Sequence, residues 1–263
     1  MEVGLVIALI TGVAGGWAVN YLADILPVTR RLSQPTCLHC DKPLSWQDYL
    51  LLHRCRACGK SRRVRAWIVH LLFIALNIYF WFAPPPRLGF ALGWVLLLYF
   101  TTVFVIDLEH RLILHPTSIF GAFLGLGVGL LRQGLQSTLL GGLTGFGFVF
   151  LLYLFGVLFT KIRARRMQAA GLEADDEDAF GAGDVILSTI LGLMLGWPLT
   201  WFGLLFGVLL GGLISGLIML GLFLSGRYKN QAWMVFIPFG PFFVVSAFLI
   251  IYLPKVMVFL VPK

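Results

Sequence analysis

Runs of about twenty apolar residues recur along the whole chain, and this pattern limits the fold more than any other feature. A helix needs about 20 residues to cross the ~30 Å hydrocarbon layer of a membrane. The composition agrees, since charged residues make up 12% of the chain, against roughly 25% in soluble domains. We predict an all-α fold, a polytopic transmembrane helix bundle with about eight spans. They are expected at residues 3–25, 66–82, 88–106, 112–131, 137–160, 185–201, 202–224 and 233–253.

The basic residues predict the orientation of this bundle. Lys and Arg concentrate in alternate loops, above all in the segment 27–65, and such loops stay in the cytoplasm. The opposite side holds only Arg87, Arg132, Lys255 and Lys263. We therefore expect a multi-pass protein of the cytoplasmic (inner) membrane, surrounded by the lipid bilayer, with both termini outside. The net charge of +8 then reflects topology, and no nucleic-acid partner is expected.

All four cysteines lie in the loop at residues 27–65, which we call the cysteine loop. Cys37 and Cys40 form one Cys-x-x-Cys pair, and Cys55 and Cys58 form the other. This paired-knuckle spacing lets four thiolates converge on Zn²⁺. Two disulfides are the alternative, but they need an oxidising compartment, and this loop is predicted to be cytoplasmic. Four Cys ligands leave no open position for water, so the zinc is expected to be structural.

Two aspartates stand at predicted membrane boundaries. Asp107 ends the third span and Asp184 begins the sixth, and both fall on the cytoplasmic side by the charge pattern. Charged groups at membrane depth are costly and are functional candidates by default. Two carboxylates that share one proton can activate water and polarise a carbonyl group, as in aspartyl proteases. Asp107 and Asp184 are therefore candidate catalytic residues.

The surroundings of Asp184 leave two interpretations open. Gly181 and Gly183 precede it, and glycine beside a carboxylate allows close approach of an extended substrate backbone. We take these two glycines as candidate substrate-binding or site-shaping residues. The structural alternative is that Asp184 only caps a helix and that Asp107 only marks where a helix meets water.

The order of these motifs resembles the type IV prepilin peptidase family of GxGD-type intramembrane aspartyl proteases. The resemblance is spread over most of the chain. It rests on Gly16-Trp17-Ala18-Val19-Asn20 followed by Leu26-Pro27, the two Cys-x-x-Cys pairs, Asp107-Leu108 with Pro116 downstream, Gly181-Ala182-Gly183-Asp184, and Ile237-Pro238-Phe239-Gly240-Pro241.

The resemblance implies an activity, a substrate class and a division of the chain. Asp107 and Asp184 take the catalytic positions, and the substrates are type IV prepilins or pseudopilins, cut at the cytoplasmic face after a short basic leader. Residues 1–65, the first helix with the cysteine loop, correspond to a methyltransferase segment. Residues 66–263 form a seven-helix membrane domain with the protease site. An oligomeric state is not implied.

Long members of the family also N-methylate the new N terminus with S-adenosylmethionine, so the resemblance implies this second activity as well. Two departures bear on it. Ile25 stands where the family has Arg before Leu26-Pro27, and the stretch from Arg63 to Val69 lacks the family's acidic residue. In the protease half, Ile186 replaces a usual Lys, while both aspartates are retained.

An acidic run from Glu173 to Asp178 precedes the Gly181-Ala182-Gly183-Asp184 motif. Such runs are usually solvated, and the functional alternative is attraction of a basic prepilin leader.

Two other classes of function compete with a peptidase. A transporter or channel would use Asp107 and Asp184 to bind ions or protons, but its carboxylates are expected near the bilayer midplane, between broken helices. A dedicated methyltransferase with a vestigial protease site is the second, and the two retained aspartates speak against it.

Overall fold

Long apolar segments satisfy their backbone hydrogen bonds internally by forming helices, and helices dominate this chain. The structure is a computed structural model, and it describes residues 2–61, 64–169, 181–225 and 238–257. Within these ranges there is no strand, only an isolated bridge between Thr36 and Pro43. The predicted all-α class is confirmed. The motif residue Ile237 and the acidic run from Glu173 to Asp178 lie outside the described residues.

The helices follow the predicted apolar runs. In chain order they are α1 (Glu2–Thr29), α2 (Trp46–Leu50), α3 (Val64–Phe82), α4 (Gly89–His110), α5 (His115–Gln133), α6 (Leu135–Ala169), α7 (Ala182–Leu195), α8 (Leu199–Leu224), α9 (Gly240–Tyr252) and α10 (Pro254–Met257). Over the described residues, five helices are long and apolar enough to cross a membrane: α1, α3, α4, α6 and α8. Helices α7 and α9 are shorter and also apolar. The chain is therefore a polytopic membrane protein.

The boundary between the sixth and seventh predicted spans differs from the structure. The sixth span was expected to reach residue 201, but α7 ends at Leu195. Gly196 has a φ of 69°, in the left-handed region that favours glycine, and Pro198 cannot donate a helix hydrogen bond. These two residues end α7 early, and α8 begins at Leu199.

The chain divides into two compact units, Met1–Thr117 and Ser118–Lys263. In the first unit α1 packs against α3 and α4. Buried polar groups join these helices: the Asn20 amide donates to the Ala66 carbonyl (3.0 Å), and the Asn77 amide donates to the Ala8 carbonyl (2.6 Å). Inside a membrane, hydrogen bonds of this kind between helices favour the association of the helices.

In the second unit α7 packs closely against α6, and α9 contacts both α7 and α8. Glycines let α6 and α7 approach, because a Cβ at Gly145 would collide with the Ser188 carbonyl and a Cβ at Gly141 with that of Gly192. The Ser188 hydroxyl donates to the Gly145 carbonyl (3.1 Å) across this contact. The second unit therefore holds α7, which carries Asp184, by close contact between backbones.

Candidate active site and metal centre

Asp184 lies in the first turn of α7, where its side chain is half-buried. The helix starts after Gly181, and the Asp184 carboxylate accepts the backbone N–H of Gly181 (3.2 Å). In return the Asp184 backbone N–H donates to the Gly181 carbonyl (3.0 Å). An acid in the first helical turn is also favoured by the helix dipole. The local sequence thus fixes the carboxylate at the helix start.

A second backbone donor reaches the same carboxylate. The backbone N–H of Gly240, at the start of α9, lies close enough to Asp184 to interact electrostatically with its carboxylate. Gly240 belongs to the motif Ile237-Pro238-Phe239-Gly240-Pro241, so two segments distant in sequence meet at one side chain. The sequence alone gave no role to Gly240, because nothing in the spacing of the motifs shows which backbone group faces the acid.

The two candidate glycines differ in exposure. Gly181 is exposed, and a Cβ placed there would meet only the Gly183 backbone nitrogen at 3.8 Å. Gly183 is half-buried within the first turn of α7. The backbone beside Asp184 is therefore open at Gly181, and no positive φ requires glycine at that position.

Asp107 belongs to the other compact unit. It is 4% exposed and lies in the last turn of α4, after the buried Val105 and Ile106. Its carbonyl accepts the backbone N–H of Arg111 (2.9 Å), and Arg111 has a φ of 54°, which ends the helix. Each aspartate is thus placed at the end of an apolar helix within its own unit. Their pairing stays a prediction from the sequence.

Four further charged or polar groups in the first unit form contacts near the helix end that carries Asp107. Arg65 pairs with Asp24, and its Nε lies 3.3 Å from Oε1 of Glu109. The Tyr49 hydroxyl donates to the Asp24 carboxylate (2.6 Å). We call Asp24, Tyr49, Arg65 and Glu109 the Arg65 network. The only sequence signal was the position of Asp24 at a span end, which did not identify its partners.

The cysteine loop brings its four thiols together. The Sγ atoms of Cys37, Cys40, Cys55 and Cys58 all lie within 4.8 Å of one another. Cys37 and Cys58 are 3.7 Å apart, and Cys40 and Cys55 are 3.8 Å apart. Four sulfurs around one Zn²⁺ at about 2.3 Å stand about 3.8 Å apart, so the donor set fits a tetrahedral zinc ion. These four residues could hold zinc.

The two Cys-x-x-Cys pairs form turns of the same kind. The N–H of Cys37 donates to the Lys42 carbonyl (2.9 Å), and the N–H of Cys55 donates to the Lys60 carbonyl (3.0 Å). Asp41 and Gly59, at matching positions, have φ values of 54° and 69°. Asn, Asp and Gly tolerate this conformation best. The repeated turn therefore presents each pair of thiols from the same backbone shape.

Charge in the thiol cluster also favours a cation. Backbone N–H groups of Cys58 and Ala57 lower the pKa of Cys55 to about 6, so its thiolate is present at neutral pH. The Lys42 backbone lowers the pKa of Cys40, but burial and the neighbouring thiols raise it to about 12. Without a cation, neighbouring thiolates repel one another, and some of the thiols therefore stay protonated. A bound dication offsets this repulsion and allows the thiols to lose their protons. His39 and His53 are exposed and lie outside the cluster.

Residues 94–217 match the model of the type IV leader peptidase family. This segment includes both Asp107 and Asp184, and it excludes the cysteine loop. Neither the comparison with curated proteins nor that with solved structures gave a match.

Proposed function

Because residues 94–217 match the model of the type IV leader peptidase family, we propose that this chain is a membrane aspartyl endopeptidase with Asp107 and Asp184 as its catalytic pair. The observation that carries the proposal is the matched segment itself, because it holds both aspartates. The capped position of Asp184 supports it further. A carboxylate that accepts the backbone N–H of Gly181 is oriented before substrate arrives.

The proposed reaction is hydrolysis of one peptide bond. The ionised aspartate takes a proton from water as the water oxygen adds to the scissile carbonyl carbon. The protonated aspartate gives its proton to the carbonyl oxygen, which forms a tetrahedral diol. A proton then moves to the peptide nitrogen, the C–N bond breaks, and a carboxylic acid and an amine leave. Either aspartate can begin as the base.

The proposed substrates are type IV prepilins and pseudopilins, which lose a short basic leader at the cytoplasmic face of the inner membrane. The exposed backbone at Gly181 supports an extended substrate beside Asp184. The basic loops support this orientation, because they concentrate on the side where both aspartates are predicted. A transporter or channel is the alternative class, and it predicts ion flux in the same reconstituted vesicles.

Zinc is proposed as a structural ion of the cysteine loop. Cys37, Cys40, Cys55 and Cys58 would hold it, and bound zinc would supply the cross-link that keeps the loop folded.

The N-methylation implied by the resemblance is a separate hypothesis. The family match starts at residue 94 and so gives no support to binding of S-adenosylmethionine by residues 1–65. Transfer of a labelled methyl group to the cleaved product tests it, and an unlabelled product rejects it.

The test of the peptidase compares wild type with Asp107→Asn and Asp184→Asn on a purified prepilin in reconstituted vesicles. We expect the wild type to remove the leader and each near-isosteric variant to be folded and slower by about 10²–10⁴-fold, since an acid or base is lost. Asp41→Asn is the matched control, because Asn also tolerates the positive φ at Asp41. Full activity in either catalytic variant would show that the aspartate concerned is only a structural residue.

A further inference from the structure

Arg65 joins the ends of three helices in the first unit. It lies in the first turn of α3, and its side chain is 15% exposed. One end of its guanidinium pairs with Asp24, five positions before the last residue of α1. Its Nε lies 3.3 Å from Glu109, in the last turn of α4. A guanidinium can serve two carboxylates because its donors form a rigid planar fork.

The Arg65 network also reaches the cysteine loop. Tyr49 is 2% exposed and lies on α2, between the two cysteine pairs. Its hydroxyl bond to Asp24 fixes the second carboxylate oxygen, so Asp24 is held by both Tyr49 and Arg65. The chain of contacts therefore runs from the cysteine loop through Asp24 and Arg65 to Glu109.

Glu109 is two residues beyond Asp107 on the same helix. The last turn of a helix lacks partners for its final carbonyls and frays unless it is held. Here the turn is held at its backbone by the Arg111 bond to the Asp107 carbonyl and at its side chain by the Arg65 contact with Glu109. A misplacement of about 1 Å at a reacting group can lower a rate about 10²-fold.

We propose that Arg65 is a positioning residue for peptide hydrolysis, which holds the last turn of α4, and with it Asp107, through Glu109. This inference rests on the proposed function, because it takes Asp107 as a catalytic residue. In this role Arg65 is assigned no contact with substrate or with the reacting atoms. Replacement of Arg65 should therefore lower the rate of the chemical step and leave the affinity for substrate unchanged.

A purely structural role makes a different prediction. If Arg65 only balances the charge of two poorly exposed acids, its removal destabilises the protein, and removal of the acids as well restores it. The triple variant Asp24→Asn/Arg65→Met/Glu109→Gln has no charge left to balance. It also lacks the bond that holds Glu109. Its activity therefore separates positioning from charge balance.

The experiment measures kcat, KM and Tm in detergent for wild type, Arg65→Lys and the triple variant on a prepilin substrate. Lys keeps the charge, but a single ammonium group lacks the fork that spans Asp24 and Glu109. We expect both variants to fold, to keep KM within about twofold, and to lose kcat about 10-fold or more. Arg56→Lys, at an exposed side chain that pairs with the buried Asp48, is the matched control and should keep wild-type kcat.

Wild-type kcat in Arg65→Lys, or recovery of kcat in the triple variant, would overturn the positioning role. Should the Arg65 variants fail to fold, Glu109 gives the second comparison. Glu109→Gln keeps a polar side-chain oxygen beside the Arg65 Nε and Glu109→Ala does not, so we expect Gln to exceed Ala in kcat by about 10-fold at equal KM. Equal kcat in these two variants would also overturn the inference. A wild type that cuts no prepilin would instead reject the proposed function itself.

Discussion

Asp48 shows how a single buried carboxylate organises the cysteine loop. It is 6% exposed, although it lies in a loop rich in exposed residues. Its carboxylate accepts the Ser45 hydroxyl (2.7 Å) and contacts Arg56 (2.9 Å) and His53 (3.5 Å). Ser45, in turn, caps the start of α2 by accepting the Asp48 backbone N–H (3.1 Å). One acid thus ties α2 to the segment that carries the second cysteine pair.

These contacts predict how stability of the loop depends on pH. The Ser45 hydroxyl and then Arg56 lower the pKa of Asp48 below 3.8, because both favour the ionised form. A lowered pKa in the folded loop means that the stabilisation is present above pH about 3.8 and is lost as the pH falls through the lower folded value. We expect amide hydrogen exchange in α2 to be faster in Asp48→Asn than in wild type at pH 6.

The exchange rates of wild type and Asp48→Asn should become equal once the pH is below the lowered pKa of Asp48, because the wild-type side chain is then also neutral. Comparison at each pH removes the intrinsic pH dependence of exchange. A difference that stays constant as the pH falls through the range in which Asp48 becomes protonated would show that Asp48 acts through shape and not through its charge.

At the level of residues, prediction from the sequence was most successful for the cysteines, because their type and spacing together indicate a metal-binding cluster. The spacing of Cys37, Cys40, Cys55 and Cys58 predicted a cluster, and the sulfur distances agree with it. The Arg65 network was not predicted, since its members are 16 to 85 positions apart and its three charged members each look like an ordinary boundary charge. Only the packing of α1, α3 and α4 brings Asp24 to Arg65 and Glu109.

At the scale of elements, the contact between α6 and α7 depends on the absence of side chains. A Cβ at Gly145 would overlap the Ser188 backbone carbonyl, which cannot move without moving α7. On the same helix, a Cβ at Gly147 has no neighbour within 4 Å. The two glycines therefore form a matched pair, one inside the contact and one outside it.

We expect Gly145→Ala to destabilise the protein by about 1–3 kcal/mol, the usual cost of overpacking, while Gly147→Ala is neutral or slightly stabilising. The measurement is thermal unfolding of both variants in the same detergent. The displacement of α7 should also slow prepilin cleavage in Gly145→Ala, because α7 carries Asp184. Equal melting temperatures for the two variants would contradict the close contact seen at Gly145.

Apolar runs predicted the existence and type of the membrane helices, because length and hydropathy determine what can cross a bilayer. They did not predict the boundaries as well. The end of α7 at Leu195 depends on the backbone at Gly196, and a continuous apolar run hides it. Likewise, the many glycines indicated helix packing in general, but only the structure distinguishes Gly145 from Gly147.

At the scale of the whole molecule, the charges of all the loops together predict the orientation of the protein in the membrane. Basic loops alternate along the sequence, and α5 and α6 are separated by a segment predicted to lie outside. A dual reporter fused after Gly134 should be active as a periplasmic enzyme. The same reporter fused after Gly171 should behave as a cytoplasmic one. The reverse pattern would place the cysteine loop outside and remove the argument against disulfides in it.

The division into Met1–Thr117 and Ser118–Lys263 assigns Asp107 to the first unit and Asp184 to the second. The sequence predicted both positions from their place at span ends. It also placed a functional boundary at residue 65, after the cysteine loop, and that division stays a prediction. The compact units of the structure depend instead on helix packing. In the first unit, this packing joins the cysteine loop to α3 and α4 through Arg65.

The close backbone contact of α6 with α7 has a consequence for how freely this protein can change in evolution. Gly141, Gly145 and Gly192 touch backbone atoms, so every other amino acid adds volume where there is none. Exposed apolar positions such as Leu143 and Leu151 on the same helix can exchange among Leu, Ile, Val and Phe. In a library of random variants selected for folding, the three glycines should be nearly invariant, and the leucines should drift.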